Sequence, residues 1–329
     1  MTDTTPHSSN PATLDRATVP AIDGAIQIEH LSKSYGATTV VDDLTFTVHP
    51  GTVTGFLGPN GAGKSTTMRM ILGLDRPSNG RALIGGRPYA QWPSPTRLVG
   101  SLLDASAIHP GRTARAHLSW IARSSAVPAS RIDTVLDRVG IADAADRPAG
   151  GLSLGMRQRL GLAGALLGDP RVLILDEPLN GLDPEGIVWL RHLLKDFAET
   201  GGTVLLSSHL MNEMQATADH VVVIAQGRLI ADVSVAELAA RTSGTIHVGG
   251  DGAAQIIDAL AKRGGHVENA DDSPDRFTVT GIDPAEINRI AWSHDVTLRE
   301  LARTGASLET AFLTLTHDQD RRTTKGTTS

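Results

Sequence analysis

The chain has 329 residues, 40% of them hydrophobic, enough to bury a sizeable core and to hold one large domain with a smaller one. A formal charge of −6 gives no electrostatic reason to expect nucleic acid as a partner, and the absence of cysteine excludes disulfides and thiolate metal sites while permitting a reducing compartment. The longest apolar runs, RVLILDEP (171–178) and HVVVIA (220–225), are of strand length and fall far short of the ~20 residues that a membrane span requires.

Residues 1–24 lack a basic start and an apolar centre, so they read as a disordered leader and not as a signal peptide or anchor; residues 318–329 read as a disordered tail. From Ile26 the runs IQIEHLSKSYG, TTVVDDLTFTVHPG and TVTGFL alternate between apolar and polar positions and are separated by Gly, Pro and Asp turns, which predicts an antiparallel, hairpin-rich start. The third run leads into TGFLGPNGAGKSTTMRM (54–70). A loop made of Gly58, Pro59, Asn60, Gly61, Ala62 and Gly63 has little side chain to fill space and can turn its amides inward as an anion cradle. The helix opening at Lys64 adds unpaired N–H groups and the positive end of its dipole. Lys64 brings a mobile charge to the outer phosphates of a nucleotide, and Ser65 places a hydroxyl where a phosphate-bound Mg²⁺ would sit. With Thr66 these residues complete the phosphate-loop pattern G-x-x-x-x-G-K-[ST] in its strand–loop–helix context.

After turn signals in PSNGRALIGGRP comes a broken, proline-marked stretch, QWPSPTRLVGSLLDASAIHPGRT, then helical periodicity in ARAHLSWIARSSA and RIDTVLDRVGI. Residues 104–159 read as a helical insertion in an α/β domain. Strand character returns in RVLILDEP, a continuous apolar run suited to a strand buried on both faces and ending in two carboxylates. The carboxyl end of a parallel strand is where such sheets bind ligands. Asp176 is therefore the candidate Mg²⁺ partner of Ser65, and Glu177 the candidate for positioning water in line with a γ-phosphate. Beyond residue 240 the order is strand, helix, strand, strand, helix, strand, then a closing helix in SLETAFLTLT, which predicts a small α+β ferredoxin-like domain over 241–317 whose role the sequence does not show.

Taken in order, these segments resemble the nucleotide-binding subunit of ABC transporters across residues 26–237. The resemblance implies a P-loop NTPase of ABC type (25–240) that binds ATP and Mg²⁺. It places Tyr35, in LSKSYG, where the family stacks an aromatic ring on adenine. GLSLGMRQRLGLAGAL resembles the family's signature motif, with Ser153 and Gly155 at the positions that contact a γ-phosphate. NGLDP resembles the loop that crosses the dimer interface, with Asp183 as its aspartate, and LLSSHLMNEM puts His209 where the family uses a histidine to hold the γ-phosphate and attacking water. It further implies two ATP molecules sandwiched between head-to-tail subunits, as a homodimer or with a related ATPase. The dimer would work with a separately encoded membrane permease, on the inner face of the cell membrane, with no nucleic acid partner. The competing class is a soluble ABC-type ATPase with a regulatory, DNA-repair or ribosome-linked role; those of the DNA-repair and ribosome type usually carry a coiled-coil insertion or tandem ATPase domains, which this chain lacks.

Two positions depart from the commonest family pattern. Leu154 and Met156 stand where L-S-G-G-Q has Gly and Gln, a form that resembles the drug, peptide-antibiotic and multidrug exporter branch. No glutamine occurs between Trp92 and Arg157, and the position where the family carries a Mg²⁺-contacting glutamine falls on Asp104, an oxygen ligand of a kind that suits a hard cation. Before the Pro-Gly break, Ile108 and His109 occupy a loop tip that would present an apolar side chain to a short permease helix.

Overall fold

The computed structural model describes residues 24–242, 246–269 and 275–303. The expected leader apart from Gly24, the closing helix at 307–316 and the tail all lie outside the described residues. In chain order, β1 (Ile26–Tyr35) and β2 (Thr38–Val48) pair antiparallel, β3 (Val53–Leu57) enters a second sheet, α1 (Lys64–Ile71) follows the phosphate loop, and β4 (Asn79–Ile84) returns to the far side of β1. These strands make a three-stranded sheet in the order β2-β1-β4, the hairpin-rich start read from the sequence.

There follow α2 (Pro95–Leu98), β5 (Val99–Leu102), α3 (Ala114–Ser124), α4 (Arg131–Arg138), α5 (Leu154–Leu166), β6 (Val172–Leu175), α6 (Pro184–Glu199), β7 (Thr203–Ser208), α7 (Met211–Thr217), β8 (His220–Ala225), β9 (Arg228–Ser234) and α8 (Val235–Thr242). The main sheet has the order β5-β6-β7-β3-β8-β9 and is parallel except for β9, which turns back along β8. β5 lies inside the stretch that reads as broken by prolines. Its four residues, VGSL, are too few to show a period, and pairing with β6 creates the strand.

The apolar strand runs have a direct physical cause. In β6, Val172 and Ile174 enter one buried cluster with Phe56, Met68 and Ile71, whereas Leu173 and Leu175 enter the opposite cluster with Leu118, Leu136 and Leu160. Successive side chains point to opposite faces and both faces are covered, so every position is apolar. One face carries α1 and the antiparallel sheet; the other carries α3 to α6. The helical segment begins at Ala114, capped by the Thr113 hydroxyl, which accepts from the Ala116 N–H at 3.1 Å.

The C-terminal unit contains β10 (Ile246–Asp251), α9 (Ile257–Lys262), β11 (His266–Asn269), β12 (Arg276–Thr280), α10 (Pro284–Ser293) and β13 (Thr297–Arg303). Its antiparallel sheet has the order β11-β12-β10-β13, and its core gathers Ile246, Val248, Leu260, Phe277, Val279 and Ile287. Asp283 starts α10 by accepting from the Ala285 N–H at 2.8 Å, with Pro284 at the first helical position. Because Phe277 is 1% exposed in a core separate from the two that hold the main sheet, Phe277→Ala is expected to destabilise this unit by ~3–5 kcal/mol. Limited proteolysis should then cut the C-terminal unit first while calorimetric ATP binding persists; simultaneous loss of both would show that the two units unfold as one.

Candidate active site

β3 emerges between β7 and β8, so the loop after it leaves the middle of the sheet at the carboxyl end of its strands. The loop's glycines are required by close approach. A Cβ on Gly58 would lie 2.4 Å from the Ile224 carbonyl oxygen, and Gly63, at φ 104, would bring one 2.8 Å from the Val40 carbonyl oxygen. Gly63 stands at the N-cap of α1 with no side chain to cap it and no acidic residue in the first turn, so the first-turn amides are left for an outside anion. Residues 60–66 line a cleft of about 280 Å³ together with Val40, Leu103, Asp176 and Glu177. Gly58 and Pro59 act differently: their carbonyls accept from Lys64 Nζ at 2.6 and 3.2 Å. Burial pushes the Lys64 ammonium below its usual pKa range, and the charges of Glu177 and Asp176 oppose that shift.

The carboxylates are positioned by the sheet. The Asp176 N–H donates to the Leu102 carbonyl at 2.7 Å, and Asp176 Oδ1 accepts from Ser207 Oγ at 2.5 Å. The same Ser207 oxygen accepts from the Glu177 N–H at 2.8 Å, so one hydroxyl from β7 joins both acids. Glu177 has a left-handed backbone, φ 49, which costs a residue with a Cβ about 1–3 kcal/mol. The Gln158 side chain, from α5, donates to the Pro178 carbonyl at 2.9 Å and more distantly to that of Glu177 at 3.4 Å. His209 Nδ1 lies 2.9 Å from Glu177 Oε2. Gln158 was not among the residues expected from sequence, although its position carried a signal: it shares a helix face with buried Leu162 and Ala165, where a polar residue is out of pattern.

The structure brings Lys64, Ser65, Thr66, Asp176 and Glu177 together, with His209 against Glu177. Ser153 caps α5, accepting from the Met156 N–H at 3.2 Å, and Asp183 caps α6, accepting from the Gly186 N–H at 2.8 Å. Neither these two nor Gly155 is among the residues lining the phosphate cleft of their own chain. Tyr35 is half exposed at the end of β1; its hydroxyl donates to Asp75 Oδ2 at 3.2 Å and Lys33 Nζ sits 4.9 Å from its ring centre.

Asp104 and Ile108 take places other than those expected, and for Ile108 this is a correction. Asp104 is not among the residues lining the phosphate cleft; its Oδ1 accepts from the Ser106 N–H at 2.7 Å and from Ser106 Oγ at 2.6 Å, bonds that hold its carboxyl below the usual range. Leu103 lines the phosphate cleft in its place, while Asp104 lines a second cleft of about 260 Å³ between the main sheet and the helical insertion. Ile108 is not an exposed tip: at 9% exposure it packs in the core with Leu102, Ala114 and Leu118, because the Pro-Gly break turns the chain back toward α3. Ala107 and Asp104 stand at the exposed edge of that second cleft, with His117 and Ile121 on its α3 wall. Burial, and to a lesser degree the Arg112 guanidinium, hold the His117 imidazole below its usual range.

Among the described residues no three His, Asp or Glu side chains form a metal site by themselves. A hard cation here would therefore take phosphate oxygens alongside Ser65 and Asp176, which are the oxygen donors that suit Mg²⁺. A glycine cradle at a bare helix N-terminus, a buried lysine and an acidic strand end define a nucleotide-hydrolysing P-loop enzyme. Residues 41–180 match the ABC transporter family and residues 244–309 match a domain family of unknown function. The chain is 36% identical over 304 residues to a Nod factor export ATP-binding protein of Paraburkholderia xenovorans, covering 89% of this chain and 97% of that one. It is 36% identical over 205 residues to a lantibiotic transport ATP-binding protein of Streptococcus pyogenes, covering 62% of this chain and 89% of the relative. It is also 41% identical over 211 residues to a bacitracin transport ATP-binding protein of Bacillus licheniformis, covering 63% of this chain and 69% of the relative. A solved ATP-binding subunit of an ABC transporter superposes with a TM-score of 0.61 at 28% identity, covering 66% of this chain and 92% of that one. The chain belongs to the ABC transporter family as an ATP-binding subunit, and it is an ATPase.

Lys64→Ala removes the buried charge that faces the cleft. Calorimetry should show ATP affinity reduced roughly 10- to 100-fold, the worth of a hydrogen bond to a charged group; unchanged affinity would count against Lys64 as a phosphate ligand.

Proposed function

We propose that this chain is the motor of an ABC exporter that moves a peptide antibiotic, drug or other amphiphile through a separate membrane permease, on the cytoplasmic face of the membrane. The observation that carries this reading is Glu177, held against His209 at the mouth of the phosphate cleft. Support for export comes from relatives named for lantibiotic transport, bacitracin transport and Nod factor export, which also weigh against a soluble DNA-repair or ribosome-linked ATPase. Among the described residues no helix is long and apolar enough to cross a membrane.

In this reading the first-turn amides of α1 and the Lys64 ammonium bind and orient the β- and γ-phosphates, and Tyr35 offers a ring face to adenine. Mg²⁺, held by Ser65 and Asp176, would neutralise charge on the phosphates. Glu177 accepts the proton of the attacking water, and His209 beside it fixes the carboxylate's direction. One cleft supplies donors on one side only. Ser153, Gly155 and Asp183 of a second subunit complete the other side in a head-to-tail dimer, so ATP closes the dimer and hydrolysis reopens it. The C-terminal unit is ferredoxin-like: its β-α-β-β-α-β order and strand order β11-β12-β10-β13 support that assignment.

Glu177→Gln keeps the side chain's shape and removes the base. Turnover should fall ~10²–10⁴-fold with ATP still bound. Gel filtration in Mg-ATP should then show two chains together; a monomer saturated with ATP would sink the sandwich.

The second cleft, between the sheet and the helical insertion, is the proposed seat of a short apolar permease helix. Ala107 stands at its exposed edge and is not among the residues lining the phosphate cleft. Ala107→Arg should leave the isolated subunit's ATPase unchanged and abolish co-purification with the permease; retained co-purification would place the contact elsewhere.

A further inference from the structure

Gln158 is 5% exposed, one of few polar side chains in the buried core, and its amide nitrogen faces two carbonyl oxygens, those of Pro178 at 2.9 Å and Glu177 at 3.4 Å. Both partners only accept, so the amide must present its N–H groups to them. The closer bond holds the peptide after Pro178 and the longer one reaches the peptide after Glu177, whose φ of 49 is a conformation that a residue with a Cβ adopts only when its surroundings enforce it. On the other side of the same residue, the Glu177 N–H is held by Ser207 Oγ at 2.8 Å. The backbone of Glu177 is thus fixed at both ends, by β7 and by α5, and its carboxylate is then aimed by His209.

We propose that Gln158 is a positioning residue for hydrolysis: its amide holds the successive carbonyls of Glu177 and Pro178, and with them the left-handed turn that points the carboxylate at the attacking water. Ser207 holds only the peptide before Glu177; without the Gln158 bonds the turn can rotate, φ changing sign, toward the extended region that a residue before proline prefers. That relaxation would swing the side chain away from His209. Gln158 also lies on the helix that Ser153 begins, so the tie joins the signature segment to the catalytic carboxylate within one chain.

The inference rests on Glu177 being the base. The test uses the full chain with Mg-ATP, measuring kcat, KM and ATP affinity for Gln158→Leu, which keeps the volume and removes the donor. The expected result is kcat lower by about 10²-fold with KM and calorimetric affinity unchanged, because the phosphate loop is untouched. Unchanged kcat, or a raised KM with intact kcat, overturns the proposal. Should the Leu variant fail to fold, Gln158→Glu decides: a protonated carboxyl can donate to the Pro178 carbonyl, an ionised one cannot, and burial moves that ionisation upward. Its kcat relative to the unsubstituted chain should fall as pH rises; a pH-independent ratio overturns the role. Glu177→Gln in the same assay separates the two ideas. Full turnover there overturns the base assignment, whereas lost turnover there with undiminished kcat in Gln158→Leu overturns only the positioning.

Discussion

β3 hydrogen-bonds to β7 on one side, in register from Val53↔Val204 to Leu57↔Ser208, and to β8 on the other, from Thr54↔His220 to Leu57↔Val223. Every polar group of the site depends on that pairing. The register sets Leu57, the last residue before the phosphate loop, beside Ser208, so the loop and the serines of β7 reach the same edge of the sheet. β6 pairs with β7 from Val172↔Thr203 to Leu175↔Leu206, which brings Asp176 and Glu177 to that edge one strand further on. A slip of one residue in any of these strands would exchange the two buried faces and send Phe56 into the wrong cluster. Two apolar cores, one on each face, therefore hold the register that the chemistry needs.

Inside that frame the charges balance locally. Burial lowers the Lys64 pKa, the charges of Glu177 and Asp176 oppose that shift, and two carbonyls accept from its Nζ. Ser207 uses both its donor and its acceptor capacity, donating to the Asp176 carboxylate and accepting from the Glu177 backbone N–H, so one hydroxyl ties the Asp176 side chain to the Glu177 main chain. The left-handed backbone of Glu177 is a strained point at the phosphate cleft. The hydrogen bonds made with Ser207 and Gln158 help hold that backbone in place.

Much of this was legible in the sequence, for reasons of physics. The phosphate loop could be read because close approach admits only glycine at Gly58 and Gly63, and the acidic end of RVLILDEP because a strand buried on both faces can be polar only where it leaves the sheet. The alternation of elements after residue 245 was equally plain, since each strand and helix there carries its own apolar period and turn signals. What the sequence hid depends on contacts between distant segments. β5 exists because β6 offers it a partner, Ile108 is buried because the chain turns back at Pro110, and Asp104 finds Ser106 two residues away before it can reach a metal. Gln158 escaped notice because its partners, Glu177 and Pro178, lie 19 and 20 residues further along the chain.

The departures from the commonest family pattern also have a physical reading. Leu154 is 54% exposed, and its side chain covers Gly181, where an added Cβ would meet Leu154 Cδ2 at 2.4 Å. With a side chain at 154 packed this closely, and with φ 78, position 181 takes glycine. Gly155 keeps the same surface tight, since a Cβ there would lie 3.0 Å from the Gly181 carbonyl oxygen. Ser153 and Asp183, each capping its own helix, are thereby mounted on one packed unit, so a displacement of α5 carries the loop before α6 with it. At the phosphate cleft the lining residue of this stretch is Leu103, while the neighbouring Asp104 carboxylate turns to Ser106 two residues on.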